Sequence, residues 1–181
     1  MSPILVRPVR EQLEHDRVIR LLQTRFRRRN EVAINPGAEQ NAPVGGGTIP
    51  LYPDLILQTG RRVVAVVEVE TGESVNHLEA LAQWAHFARL RAAFHLYVPS
   101  GMVDVARRLC EDNHIQVNEV WSYHTVAEDV RFTLVHRSRE TSHTASAPRS
   151  KSKPSPAKPV RPTRAAKKPV RAKAPKKAKR R

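Results

Sequence analysis

Along the first 136 residues the spacing of apolar positions changes period several times, and each change marks an element. Between about Arg10 and Arg28, Leu13, Val18, Ile19, Leu22 and Phe26 recur near helical spacing among many charges, which predicts an amphipathic first helix. "EVAIN" (31–35) predicts a short strand stopped by Pro36-Gly37, and "DLILQ" (54–58) predicts a second. After Thr59-Gly60, Arg62 to Glu70 is the longest expected strand, and these last two form a hairpin. Residues 75–92 place Leu78, Leu81, Ala82, Ala85 and Ala88 on one face of a second helix. "FHLYV" (94–98) is a strand, "MVDVARRLCEDN" (102–113) a helix, "IQVNEVW" (115–121) a strand, and "VRFTLVH" (130–136) an optional last strand. A helix between the third strand and the next fits a right-handed crossover, so the order αβββαβ, then αβ, predicts an α/β fold with a mixed sheet flanked by helices. The segment 36–53 has three consecutive glycines and four prolines, which predicts a flexible loop. Its Gly-Gly-Gly-Thr is not a phosphate-binding loop, because the Gly-Lys-Ser/Thr ending is missing.

One strand departs from its own pattern. From Val63 to Val69 every residue is apolar except Glu68, and Glu70 follows two positions later. A buried carboxylate is costly unless it is paired or holds a metal ion. Alternation along a strand puts Val64, Val66, Glu68 and Glu70 on one face, and a hairpin sets Asp54 beside the end of that strand. Three converging carboxylates repel one another unless a cation sits among them, and carboxylate oxygens suit Mg²⁺ or Mn²⁺. The competing reading pairs Glu68 and Glu70 at an exposed strand end with Arg61, Arg62, Arg89 or Arg91.

Pro53-Asp54, the 14-residue step to Glu68 and the triplet Glu68-Val69-Glu70, in this order of elements, resemble the PD-(D/E)XK nuclease superfamily, the restriction-endonuclease-like fold. The resemblance spans about residues 10–98. It implies metal-assisted hydrolysis of phosphodiesters, with Asp54 and Glu68 as metal ligands and Mg²⁺, or Mn²⁺, as cofactor. Glu70 stands where the superfamily usually has the lysine that orients or activates water, and some members carry Glu there. No lysine precedes Lys151, so none from the folded part replaces it; Glu70 is then a general base or the holder of a second metal ion. The resemblance also implies an acid on the first helix, Glu14 or else Glu11, as a further ligand. On the helix after the triplet it implies Gln83, contacting a phosphate or the metal's water. Homodimers are frequent in that superfamily.

Charge divides the chain at about residue 137. Residues 137–181 hold 17 of the 32 Lys and Arg but one of the 17 acids, leaving 15 basic and 16 acidic residues before them. Half of the 14 prolines also fall there. Such a segment buries too little apolar surface to offset its ordering entropy, which predicts a domain at 1–136 and a disordered tail at 137–181. The tail resembles in composition those of linker histones and of histone-like bacterial proteins. Lys151, Lys153, Lys158, Arg161, Arg164, Lys167, Lys168, Arg171, Lys173, Lys176, Lys177, Lys179, Arg180 and Arg181 are its expected phosphate contacts, binding DNA or RNA by counterion release. A solubility tail or an anionic-membrane tether are the other uses of such a polycation.

The single cysteine, Cys110, excludes an internal disulfide and suits a reducing cytoplasm. No apolar run reaches membrane-spanning length, so the expected location is cytoplasmic, in association with the nucleoid. Tyr52, Trp84 and Trp121 read as core or rim aromatics. His77 is the histidine nearest the triplet in sequence, and Cys110 with His114 is too sparse for a zinc site. "RFRRR" (25–29) suits a solvated helix end or, alternatively, a phosphate contact. Two functional readings follow: a Mg²⁺-dependent nuclease held on nucleic acid by its tail, or a non-catalytic nucleic-acid-binding protein that keeps the nuclease fold.

Overall fold

The computed structural model describes residues 8–45, 49–127 and 129–138. The chain divides into two units, Met1–Ala145 and Ser146–Arg181, and the described residues all belong to the first. The tail positions Lys151 to Arg181 lie outside the described residues, as do Gly46, Gly47 and Thr48 of the glycine loop.

Helix α1 (Val9–Phe26) is followed by strands β1 (Glu31–Ile34), β2 (Leu55–Thr59) and β3 (Arg62–Val69). Helix α2 is one run in three parts: α-helical His77–Glu79, a π-helical turn Ala80–Trp84, and α-helical Ala85–Phe87. Strand β4 (Ala93–Pro99), helix α3 (Val103–Asp112) and the hairpin β5 (Glu119–Val126) and β6 (Asp129–Arg137) complete the order.

The six strands lie side by side in chain order. Strand β3 runs parallel to β4 and β4 to β5, each joined through a helix, while the other neighbours are antiparallel. The β2–β3 turn has two residues, because Thr59 pairs with Arg62, and Gly60 supplies the positive φ (60°) such a tight turn requires. This α/β mixed sheet, with its hairpin and crossovers, agrees with the pattern of apolar positions.

Two apolar layers cover the sheet. Val18, Ile19 and Leu22 of α1 pack on Leu55, Leu57, Ala65, Val67, Val69, Tyr97 and Tyr123. On the opposite face, Ala80, Trp84 and Phe87 of α2 and Ala106 of α3 pack on Ile56, Val66, Phe94, Leu96 and Val120. The alternation of β3 is therefore split between two cores, as its period-2 pattern requires.

Three local expectations change. In α2 the expected apolar face holds only toward its end: Leu78 and Leu81 are exposed, Ala85 and Ala88 pack against the core, and Ala80, Trp84 and Phe87 are the buried residues. The π-helical turn inserts extra arc into the helix and so shifts which side chains meet the sheet. Strand β5 starts at Glu119 rather than 115: Ile115 and Val117 are buried over the core without joining the sheet. Asn118 closes this approach, its amide donating to Phe94 O and its Oδ1 accepting from the Phe94 amide. The described parts of segment 36–53, residues 36–45 and 49–53, are tied down on both sides of the glycine run. Buried Asn35 donates from Nδ2 to Ala42 O and Pro53 O and accepts from the Ala42 amide, and Val44 and Leu51 form an isolated bridge.

Candidate functional site

The three acids of interest collect at the carboxyl end of β3. Asp54, Glu68 and Glu70 are 7%, 4% and 1% exposed, so all three are buried although no apolar environment favours a bare carboxylate. How each is satisfied defines the site.

Asn35 fixes the approach to β2, its amide donating to Asp54 O while its side chain holds Pro53 O. The chain bends at Asp54, and the carboxylate takes over a ladder position: Val69 N donates to Asp54 Oδ2 at 2.8 Å. The Asp54 side chain thus lies at the rim between β2 and β3. Glu68, on the α2 face, approaches the same residue, its Oε2 accepting from the Asp54 amide at 3.2 Å. Glu70 turns into the core beneath α2, where the Trp84 indole N–H donates to its Oε1 at 2.6 Å. Its backbone is clamped as well, with the amide donating to Tyr97 O and the carbonyl accepting from the Tyr123 hydroxyl at 2.6 Å. The π-helical turn is what brings Trp84 to Glu70.

Helix α1 contributes residues that periodicity does not reveal. His15 is buried among the apolar positions of the helix, one turn from Val18 and Ile19, while Leu13 is exposed. Its Nε2 lies 3.1 Å from Asp54 Oδ2 and its Nδ1 3.2 Å from Asp16 Oδ1. A neutral imidazole carries a single N–H, so which of the two carboxylates it donates to is set by its tautomer. Asp16 is itself fixed by Gln12 Nε2 at 2.7 Å and by the Gly37 amide at 3.1 Å. A chain of contacts therefore runs from the loop after β1 through α1 to Asp54.

The helix acid nearest the triplet is Glu11. Its Oε2 accepts from Thr71 Oγ1 at 2.8 Å, directly after Glu70, and Ser74 Oγ accepts from the Thr71 amide to close the following turn. Glu14, the preferred choice from sequence, faces the other flank and accepts from Thr125 Oγ1 at 3.3 Å. Gln83 lies in the π-helical turn, half-buried, next to Trp84. His77 is exposed, 3.5 Å from Asn113 Nδ2 on α3, and stands apart from the acids.

Among the described residues no three His, Cys, Asp or Glu side chains are arranged to hold one metal ion. Glu68 meets Asp54 through the Asp54 backbone amide, while the Glu70 carboxylate accepts from the Trp84 indole. Asp54 and Glu70 direct their bonded oxygens to different partners, His15 of α1 and Trp84 of α2, on opposite sides of the sheet. Sequence reasoning found the acids because they interrupt a valine run. It missed His15, whose only signal is a polar residue in register with buried positions.

A cleft of about 570 Å³ lies between α3 and the β5–β6 hairpin, lined by Arg107, Cys110, His114 and His136 among others. It borders the start of β5, at the opposite end of the parallel strands from the triplet. Burial, aided by Glu111, pushes the Cys110 thiol up to about 12, so it is no nucleophile at neutral pH. Among the described residues no helix is long and apolar enough to cross a membrane. Compared with protein-family models, with curated proteins and with solved structures, the chain matches none.

Proposed function

We propose that this protein hydrolyses phosphodiesters of nucleic acid with the help of a divalent cation held by Asp54 and Glu68, and that its basic tail keeps it on the polymer. The observation that carries this reading is the buried Asp54–Glu68 pair, locked by Val69 N, His15 and the Asp54 amide. Two buried carboxylates at one strand end are costly unless donors or a cation offset their charge, and a bound ion would complete what these donors begin. Two carboxylates fit Mg²⁺, which keeps several waters and takes one or two carboxylates plus phosphate oxygens. When bound, the ion supplies Lewis-acid stabilisation and a water of lowered pKa.

The chain's own residues have separate parts. His15 and Val69 N hold Asp54 in one orientation, and Glu11 with Thr71 borders the site on the α1 side. The tail, with its 17 Lys and Arg from residue 137 on, raises the local concentration of any nucleic acid. The test is incubation of the intact chain with single- and double-stranded DNA and RNA, in Mg²⁺, in Mn²⁺ and in excess chelator. Cleavage present with the ions and absent with chelator is expected, and absence of cleavage on all four substrates would refute the reading.

A second reading, a non-catalytic nucleic-acid binder, is favoured by one contact. Glu70 spends an oxygen on the Trp84 indole and is 1% exposed, which withdraws it from activating water. Under that reading the same incubation gives no cleavage, while a gel-shift titration with those substrates gives tight, salt-sensitive binding.

A further inference from the structure

A separate group of side chains lies on the α1 face of the sheet, beyond the helix. Tyr97 and Trp121, neighbours across β4 and β5, lie nearly coplanar in orientation (3°) with ring centroids 5.7 Å apart. Phe132 of β6 meets Tyr97 edge-on at 5.8 Å. Tyr97 is fully buried, whereas Trp121 and Phe132 are half-buried. Above them stands the exposed Arg25 of α1, its guanidinium 5.0 Å from the Trp121 centroid and 5.8 Å from that of Phe132. One cation serves two rings, and Arg27, Arg28 and Arg29 follow at once, all exposed.

Two half-buried rings with an exposed guanidinium resting on both, and three further exposed arginines beside it, have the chemistry of a single-stranded nucleic acid site. Bases stack on aromatic rings irrespective of sequence, guanidinium groups stack or pair with phosphate, and neither group asks for a duplex. An anionic polymer complements the four arginines of 25–29, and its bases complement the rings; an acidic peptide would satisfy only the first.

Position links this surface to the acids. The Glu70 amide bonds Tyr97 O, and Tyr97 pairs with Trp121, so Trp121 lies two strand spacings, about 10 Å, from the triplet. The flank of α1 carries Glu14 beside Thr125 and Arg25 over Trp121, so helix and β5 run alongside each other between the two ends.

We propose that Arg25, Trp121 and Phe132 form a stacking site for single-stranded nucleic acid on the folded domain, distinct from the tail. The identity of the ligand rests on the nucleic-acid reading above; the site itself does not require cleavage.

The experiment uses the full-length chain and the oligonucleotides dT20 and rU20, each containing 5-bromouracil, with irradiation and peptide mapping, at low salt and at about 0.5 M salt. High salt suppresses counterion-release binding by the tail and spares stacking. At high salt, adducts are expected on the peptides carrying Trp121 and Phe132. Arg25→Gln, an exposed change, and Trp121→Leu should each weaken high-salt binding about tenfold, the scale of one lost stacked base. Adducts confined to residues 139–181, or unchanged high-salt affinity in Arg25→Gln, would overturn the proposal. Cleavage by the unmodified chain is followed in parallel: adducts at Trp121 without cleavage would refute the nuclease and keep the stacking site, whereas cleavage without such adducts would do the reverse.

Discussion

His15 is the residue on which the candidate site turns most, because it is buried with a carboxylate at each ring nitrogen. Replacing it by Ala leaves Asp54 short of a charge-assisted partner, and a loss of about 2 to 3 kcal/mol in denaturant unfolding is expected. His95 behaves oppositely. Burial holds its imidazole below the ordinary 6.5, with Glu119 pulling it up and Arg137 down, and among the described residues its Nδ1 has no hydrogen-bond partner, lying 3.8 Å from Glu119 Oε2. The folded ring therefore binds protons less readily than the unfolded one, so its stabilising effect is complete above about pH 6.5 and is lost as pH falls toward the folded value. Thermal melting should drop on acidification from pH 7.5, and His95→Gln should make that drop smaller. Cys110 should resist thiol reagents at pH 7.5 in the folded protein and react readily after unfolding, as a thiol raised to about 12 requires. The acids were readable as residues because a charge inside a valine run is an anomaly; His15 and His95 were not, since their roles depend on partners tens of positions away.

At the scale of elements, the π-helical turn and the β5–β6 hairpin carry the information that periodicity could not. An α-helical period places Leu78 and Leu81 inward, whereas the wider turn buries Trp84 and sets its indole on Glu70. Trp84→Phe keeps the ring and removes that donor, which should cost about 1 to 3 kcal/mol. In the hairpin, Ala127 has a φ of 53°, a conformation that L side chains adopt at a cost. Ala127→Gly should therefore raise stability by about 0.5 to 1 kcal/mol after the extra chain entropy of glycine is counted. Strands β2 and β3 were legible because their pairing is local and Gly60 sits at the turn. The start of β5 was not, because Ile115 and Val117 are apolar for the sake of the core rather than the sheet.

For the whole molecule, α/β class, the β2–β3 hairpin and the helical connection from β3 to β4 followed from where apolar runs alternate with helical stretches, since each element must bury one face. The expected meeting of three carboxylates did not follow, because Asp54 and Glu70 are drawn to α1 and α2 by His15 and Trp84. The basic excess lies entirely after residue 136, so under the proposed function binding and chemistry fall in different segments. Removing residues 139–181 should lower affinity for nucleic acid and flatten its salt dependence, while any cleavage at saturating substrate persists. Under the proposed function, Asp54 and Glu68 carry metal-dependent hydrolysis. Its most direct test is single-turnover cleavage in Mg²⁺ by the unaltered chain, Asp54→Asn and Glu68→Gln, with circular dichroism to establish that each variant is folded. Cleavage by the unaltered chain is expected, with a loss of at least about a hundredfold in both folded variants, the scale of removing one preorganised electrostatic group; equal cleavage by all three would remove Asp54 and Glu68 from the chemistry.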